Sequence, residues 1–380
     1  MILRSIKLKN FRNYETLELS FKEGINIVYG ENAQGKTNLL ESIYVLALTK
    51  SHRSFIDYNL IKEGEINSKI TGIVEKENIA TTYEVLLEKK KKKCFIDSDE
   101  IKKLSDYISN LNIIIFYPED LEIIKGSPQI RRRYLNTEIS QLDRNYFKIL
   151  NDYMRLLKMR NESLKNMISY SGMEHPYFKA VTDYFIEKAA LLYKMRIKFI
   201  QKINEYCEAI FLDISGKKGF HIEYESSFKL ENLSLEEIKE QLRKKITEVS
   251  TSEYRAKISL IGPHKDDISF WIDTINLRNF GSQGQQRMAI LAIKLSEITV
   301  FENYCHDKPI LLLDDVFSEL DDGKKNNLLS YISSDIQTII TTTEISNIEN
   351  SILEKSKLIE IANGAIEKIT EVNKHGRKQD

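Results

Sequence analysis

The stretch Ile2-Leu3-Arg4-Ser5-Ile6-Lys7-Leu8 alternates between apolar and polar positions, and so does Tyr14 to Phe21. A period of two predicts two half-buried strands joined by residues 9–13. A third, apolar run from Ile25 to Tyr29 enters a glycine loop, and Thr37 to Leu48 has the spacing of a buried helix, giving the order strand, loop, helix. Strand-like character returns from Ile70 to Ile115, broken by the lysines 89–93, which read either as a solvated hairpin tip or as a nucleic-acid contact. Beyond Phe116 to Asp120 the character changes. Leu135, Ile139, Leu142, Tyr146, Ile149, Tyr153 and Leu156 are spaced by alternating four and three, which predicts one long helix with a heptad seam. A second helix is expected after Pro176, and a third opens at Ser234, where Glu237 completes a capping box ahead of Ile238, Leu242 and Ile246.

After Tyr254 strand signals return at Ile258 to Ile261 and Ile268 to Ile272. A helix is expected after Gly284, then apolar strands at Ile310 to Leu313 and at Ile336 to Thr343. Short apolar strands alternating with helices predict an α/β fold with a mostly parallel sheet, into which a helical lobe is inserted. The expected organisation is a first part of the α/β lobe over 1–116, a helical lobe over 117–253, the second part of the α/β lobe over 254–371 and a loose basic tail over 372–380.

Composition narrows the class more than the function. With 380 residues, 42% hydrophobic and 29% charged, the chain is large enough for two lobes, each with its own core. Lysine plus arginine equals aspartate plus glutamate at 56 each, so any surface that attracts nucleic acid must be local. The cysteines Cys94, Cys207 and Cys305 are scattered, which argues against a zinc site or a disulfide framework and fits a reducing, cytoplasmic compartment. No stretch has the length and apolarity of a signal peptide or a membrane span.

The chemistry begins at Gly30-Glu31-Asn32-Ala33-Gln34-Gly35-Lys36-Thr37, which fits the phosphate-binding pattern G-x-x-x-x-G-K-[ST] between a strand and a helix. Glycines let successive N–H groups turn inward at the positive end of the following helix, so the loop is expected to hold ATP. Lys36 would bridge the β- and γ-phosphates, and the Thr37 hydroxyl would take a position on Mg²⁺. Two acids close the apolar run at Asp314 and Asp315. Asp314 would hold Mg²⁺ through water, and Asp315 would orient or deprotonate the attacking water; the alternative is a strand-end turn with two solvated acids. In Gly281 to Arg287, Ser282 and Gln285 form a capping box, and the same helix start is an anion site.

The order of these motifs, closed by Ser318 to Asp321, resembles the ATPase heads of the ABC and SMC class. More closely, the chain resembles the RecF family of bacterial recombination mediators, through Asn10 to Tyr14, Gly30 to Asn38, Phe116 to Asp120, Lys125 to Pro128, Arg131 to Arg133, Gly262 to Asp267 and Gly281 to Arg287. The resemblance implies an ABC/SMC-type head with a short helical hairpin arm, and two copies that sandwich two ATP molecules. Ser282, Gly284 and Gln285 would then act across the homodimer, and Ser318 to Asp321 would link the two sites. It implies that Arg12 reaches toward the nucleotide, with a surface arginine as the alternative. It also implies binding of duplex DNA and gap junctions, with a RecR-type mediator and a recombinase as partners.

Three departures bear on mechanism. Gln283 stands where transporter signatures carry glycine, Asp315 replaces the usual glutamate, and Thr341 to Thr343 stand where a histidine is usual. They imply slow hydrolysis and weak γ-phosphate sensing, and they argue against the competing reading, a transporter-type ATPase subunit. A long-armed SMC protein would need a far longer seam. The resemblance leaves the usual inter-lobe glutamine unplaced, with Glu119 and Asp120 as the candidates for that region. Candidate phosphate contacts on DNA are Lys89 to Lys93, Arg131 to Arg133, Arg155, Lys158, Arg160 and Lys165, with pairing to acids as the alternative for the arginine run.

Overall fold

A computed structural model of the protein describes residues 1–54, 56–89, 91–230, 233–319, 325, 328, 332, 335–345, 348–372 and 378–379. The chain divides into two compact units, Met1–Asp120 with Lys294–Asp380, and Leu121–Ile293. The expected second part of the α/β lobe is thereby split, residues 254–293 grouping with the helices. The reason lies in pairing: Asp267–Ile272 forms a three-stranded antiparallel sheet with Phe220–Glu225 and Ile275–Asn276.

The first unit carries two sheets among its described residues. In one, Ile25–Tyr29 lies between Lys357–Ala362 and Thr338–Thr342, followed outward by Ile310–Asp314 and Ile113–Phe116, all parallel. Ala365–Val372 continues the sheet antiparallel, with the two-residue strand Lys378–Gln379 at its edge. Ile310–Asp314 and Thr338–Thr342 are buried at every position, which is why they read as unbroken apolar or β-branched runs. The other sheet is antiparallel in the order Tyr14–Ser20, Ile2–Phe11, Asn67–Lys76, Ile79–Glu88, Lys92–Ile96, Asp99–Glu100. Helix Lys36–Leu48 touches strands of both sheets and is apolar on almost all sides. It packs closely enough that a Cβ on Gly72 would sit 2.3 Å from Leu46 Cδ2.

The second unit is built on helices Pro128–Leu142, Arg144–Asn166 and Pro176–Ser215. The single long helix expected from the heptad count is two helices. Asp143 adopts an extended conformation (φ −139°), and its Oδ1 accepts from Asn145 N at 2.8 Å, capping the second helix where the seam would have continued. Beyond the break the buried positions are Tyr146, Tyr153, Leu157, Arg160 and Leu164. The strand expected at Ile258 to Ile261 is also absent. Its amides bond to side chains instead, Ser259 N to Asn161 Oδ1 and Leu260 N to Glu253 Oε1. The capping box at Ser234 and Glu237 is formed.

Three arginines form the polar core of this unit. Arg131 pairs with both oxygens of Asp267 at 2.6 and 2.7 Å. Arg160 reaches Glu253, Ser259 and Thr182, and Arg196 reaches Tyr146, Tyr224, Asn136 and Pro263 O. The segment Gly262 to Asp267 is folded onto these groups, and Tyr153 Oη lies 2.5 Å from His264 Nδ1. Burial lowers His264 to about 4 and raises Asp266 to about 6.

Candidate functional site

The loop between Ile25–Tyr29 and Lys36–Leu48 opens at the carboxyl end of a central parallel strand, where ligand sites of open α/β sheets form. Gly30 (φ 148°) and Gly35 (φ 115°) hold backbone conformations that side chains rarely adopt. A Cβ on Gly30 would also lie 2.3 Å from Ile361 O, so the neighbouring strand presses directly on the loop. Glu31, Asn32 and Ala33 are exposed, and Ala33 is left-handed (φ 65°). Lys36 Nζ lies within the loop's own curl, donating to Gly30 O and Glu31 O at 2.7 Å each. Burial lowers the Lys36 pKa, opposed by the charges of Asp315 and Asp314.

Side chains distant in sequence brace the same loop. Gln34 O accepts from Asn13 Nδ2 and from Gly364 N, each at 3.1 Å, and Gln34 Oε1 accepts from Asn363 N at 2.5 Å. Tyr14 Oη donates to Gly35 O at 2.9 Å, and Asn38 Nδ2 to Asn13 Oδ1 at 2.8 Å. Asn13, Tyr14 and the turn at Asn363 and Gly364 are therefore support residues that the loop pattern alone does not reveal.

Thr37 and Asp314, 277 residues apart, meet here: Thr37 Oγ1 donates to Asp314 Oδ1 at 3.0 Å. Thr341 Oγ1 donates to the same oxygen at 2.7 Å and accepts from Asp315 N at 3.1 Å. Asp314 is the last residue of its strand, and Asp315 turns into the left-handed region (φ 52°). Burial raises the Asp314 carboxyl, while the bonds from Thr341 and Thr37 oppose it. The donor set fits a magnesium nucleotide: one hydroxyl and one carboxylate, all oxygen, beside a glycine-curled loop whose phosphates would complete the shell. Thr341 lies inside the strand, so the threonine run is more than an empty histidine position. Thr342 closes the strand by bonding to Glu344 O.

Arg12 is held by the helix that follows the loop. Its Nε and Nη2 donate to the two carboxylate oxygens of Glu41 at 2.8 Å, and Nη1 donates to Asn59 O at 2.8 Å. Burial would raise the Glu41 carboxyl, but the hydrogen bonds of Arg12 and Ser51 outweigh it and hold the pKa low. Arg12 thus anchors the helix that follows the loop, its fork engaged by Glu41 instead of standing free at the surface. Asp120 is buried with Oδ2 on Tyr117 N, and burial raises its carboxyl to about 7; Glu119 is exposed.

In the second unit, Ser282 N donates to Gln285 Oε1 at 2.9 Å, and Ser282 Oγ accepts from Gln285 N at 3.3 Å. The expected capping box is formed and opens helix Gln283–Cys305 directly after Ser282, so that Gly284 lies in its first turn. Ser282, Gln283 and Gly284 are exposed, and nothing lies within 4 Å of a Cβ built on Gly284. The stretch Ser318 to Asp321 lies outside the residues whose side chains are described.

The basic candidates separate. Arg131 and Arg160 are each 1% exposed and paired with acids, which removes them from any DNA-facing surface. Arg132 donates to Asp266 O, and Lys92 is held by Asp57. Lys90 lies outside the described residues. Lys89, Lys91, Arg155, Lys158 and Lys165 remain exposed, with Arg155 beside Asp152 and Lys158 beside Glu162. Among the described residues no helix is long and apolar enough to cross a membrane.

A family model described as the RecF/RecN/SMC N terminal domain matches residues 2–367. A DNA replication and repair protein RecF of Bacillus cereus (strain B4264) is 42% identical over 369 residues, covering 97% of this chain and 98% of that protein. Its counterpart of the same description in Bacillus anthracis (strain A0248) is 41% identical over the same shares. A solved structure of the recombination mediator protein RecF with ATP, in the RecFOR pathway, matches at a TM-score of 0.89 and 33% identity, over 96% of this chain and 97% of that one. An SMC head bound to the C-winged helix domain of ScpA matches at a TM-score of 0.53 and 16% identity, a likeness of fold alone.

Proposed function

The chain belongs to the RecF family and has the fold of an ABC/SMC-type ATPase head, and from that premise we propose that it is an ATP-switched DNA-binding protein of recombinational repair and replication. The observation that carries this reading is the meeting of Thr37 with Asp314 beside the glycine loop. ATP would lie in the loop from Gly30 to Thr37, its phosphates cradled by backbone N–H groups. Lys36 would exchange its carbonyl partners at Gly30 and Glu31 for the β- and γ-phosphates. Bound Mg²⁺ would neutralise charge on the phosphate oxygens. Thr37 and Asp314 would hold that ion, Asp314 through water. Asp315 would orient the attacking water; it is one methylene shorter than glutamate, which supports slow hydrolysis.

The exposed Ser282 and Gly284, with the half-buried Gln285, would meet the γ-phosphate held by a second copy, so that ATP closes a homodimer on duplex DNA near single-strand gaps. Phosphate contacts would come from the exposed lysines and Arg155, independent of base sequence. A RecR-type mediator and a recombinase are the proposed protein partners, and the cytoplasm the proposed compartment, as the resemblance to the family implies; the relatives are described as a replication and repair protein and as a recombination mediator in the RecFOR pathway.

The test is sedimentation and duplex binding with and without ATP, for the native chain, Lys36→Met and Ser282→Arg. Lys36→Met should lose nucleotide binding. Ser282→Arg should keep nucleotide but remain monomeric. Duplex affinity that ignores both ATP and the two substitutions would overturn the switch.

A further inference from the structure

The strand order places one hydroxyl between the two halves of the nucleotide site. Thr338–Thr342 lies between Ile25–Tyr29, which leads into the glycine loop, and Ile310–Asp314. At one level of this sheet Val28, Thr341 and Asp314 stand in register across three parallel strands. Thr341 is 1% exposed. Its hydroxyl has a single hydrogen, and the short contact is to Asp314 Oδ1 at 2.7 Å, against 3.4 Å to Leu313 O. Its lone pair accepts the Asp315 amide, which is turned by a positive φ. Thr37 donates to the same Oδ1, so two hydroxyls, one before and one after Asp314 in the chain and both distant from it in sequence, grip one carboxylate oxygen.

We propose that Thr341 is a positioning residue for metal binding: its hydroxyl fixes the orientation of the Asp314 carboxylate relative to Thr37 and anchors the backbone turn that carries Asp315. This rests on the reading of Asp314 as part of the magnesium shell. The physical case is that a carboxylate held only by its own strand rotates about its last bond, whereas one gripped through Oδ1 presents a fixed face. Partners that orient metal-binding groups in this way typically alter metal affinity by about 10- to 100-fold when lost. Valine at 341 preserves shape and strand preference and deletes only the hydroxyl, while serine keeps the hydroxyl and deletes a methyl.

The experiment uses the full chain and a fluorescent ATP analogue, titrated first in chelator and then with increasing Mg²⁺, for the native protein, Thr341→Val, Thr341→Ser and Asp314→Asn. Thermal melts without ligand identify any variant that fails to fold. The Mg²⁺ concentration that gives half of the metal-dependent change in binding should rise about tenfold in Thr341→Val and stay within about twofold of native in Thr341→Ser. Equal shifts in the valine and serine variants would mean that packing matters and the hydroxyl does not, and would overturn the proposal. A shift in Asp314→Asn without one in Thr341→Val would overturn it while leaving the metal-site reading intact. No shift in Asp314→Asn would remove that reading and the proposal together. Should the valine variant not fold while the serine variant does, Thr341→Cys decides: a weak thiol donor should give an intermediate Mg²⁺ requirement, and a native requirement would overturn the proposal.

Discussion

Replacing Arg12 with alanine leaves a buried carboxylate without its counter-charge. Glu41 is 0% exposed and takes two charge-assisted hydrogen bonds from the Arg12 fork at 2.8 Å, with Ser51 as a third partner at 2.5 Å. Removing one member of a buried pair costs about 3–5 kcal/mol, because the remaining charge keeps its desolvation penalty. The Arg12 side chain is 23% exposed, so water reaches the vacated space, and the Ser51 bond survives. A loss of about 2–3 kcal/mol is therefore expected. The pH dependence should change sign as well. In the native chain the Glu41 pKa lies below the usual 4.5, so its contribution to stability is present above that value and is lost as pH falls through the folded pKa. In Arg12→Ala, desolvation dominates, the folded pKa rises above the unfolded one, and stability falls as pH rises. Urea denaturation at pH 5 and pH 8 measures both effects in native, Arg12→Ala, Glu41→Gln and the double variant. The double variant should recover most of the loss, since glutamine carries no charge to isolate. Additive losses, or a loss identical at both pH values, would show that Arg12 does not act through Glu41.

Three further outcomes are expected. Asp120 has a folded pKa raised to about 7 by burial, so its contribution is full below the ordinary carboxylate range and lost as pH rises; between pH 5 and 8 the stability of the native chain should fall by about 2–3 kcal/mol relative to Asp120→Asn, read as the difference between their urea melts. Gly30→Ala places a Cβ against Ile361 O at a positive φ, so about 1–3 kcal/mol of strain should appear as a loss of ATP affinity of about 5- to 150-fold by equilibrium binding. Arg160→Met should lower stability by about 3–5 kcal/mol through the uncompensated Glu253, while the salt dependence of duplex binding in filter assays stays native.

Local chemistry was the legible part of the sequence. The glycine loop, the acids closing an apolar run and the capping boxes at Ser234 and Ser282 depend on residues within a turn or two of one another, and each appears where its spacing places it. What escaped depends on long-range packing. A heptad count passes straight over Asp143, although a single side-chain bond there ends one helix and starts the next. Arg160 reads as surface charge, and pairing with acids is only one alternative for Arg131, because nothing near them in sequence announces Glu253 or Asp267. Thr341 was noticed only for not being histidine; its place beside Asp314 follows from strand order, which a linear reading does not contain. Asn363 and Gly364 look like any hairpin turn until the hairpin is seen resting on Gln34.

That hairpin bears on how the protein is made. The strand carrying the glycine loop leaves the ribosome early, yet both of its sheet neighbours, Thr338–Thr342 and Lys357–Ala362, and the turn that braces Gln34 are translated roughly 300 residues later. At about 5–20 residues per second, the nascent loop waits some 15–60 s for the strands that shape it. During that interval Ile25–Tyr29 has two unpaired edges and must be kept from pairing elsewhere. Competence to hold nucleotide would then arise only in a nearly complete chain, so a truncated product would fail at the ATP site even though every residue of the glycine loop were present.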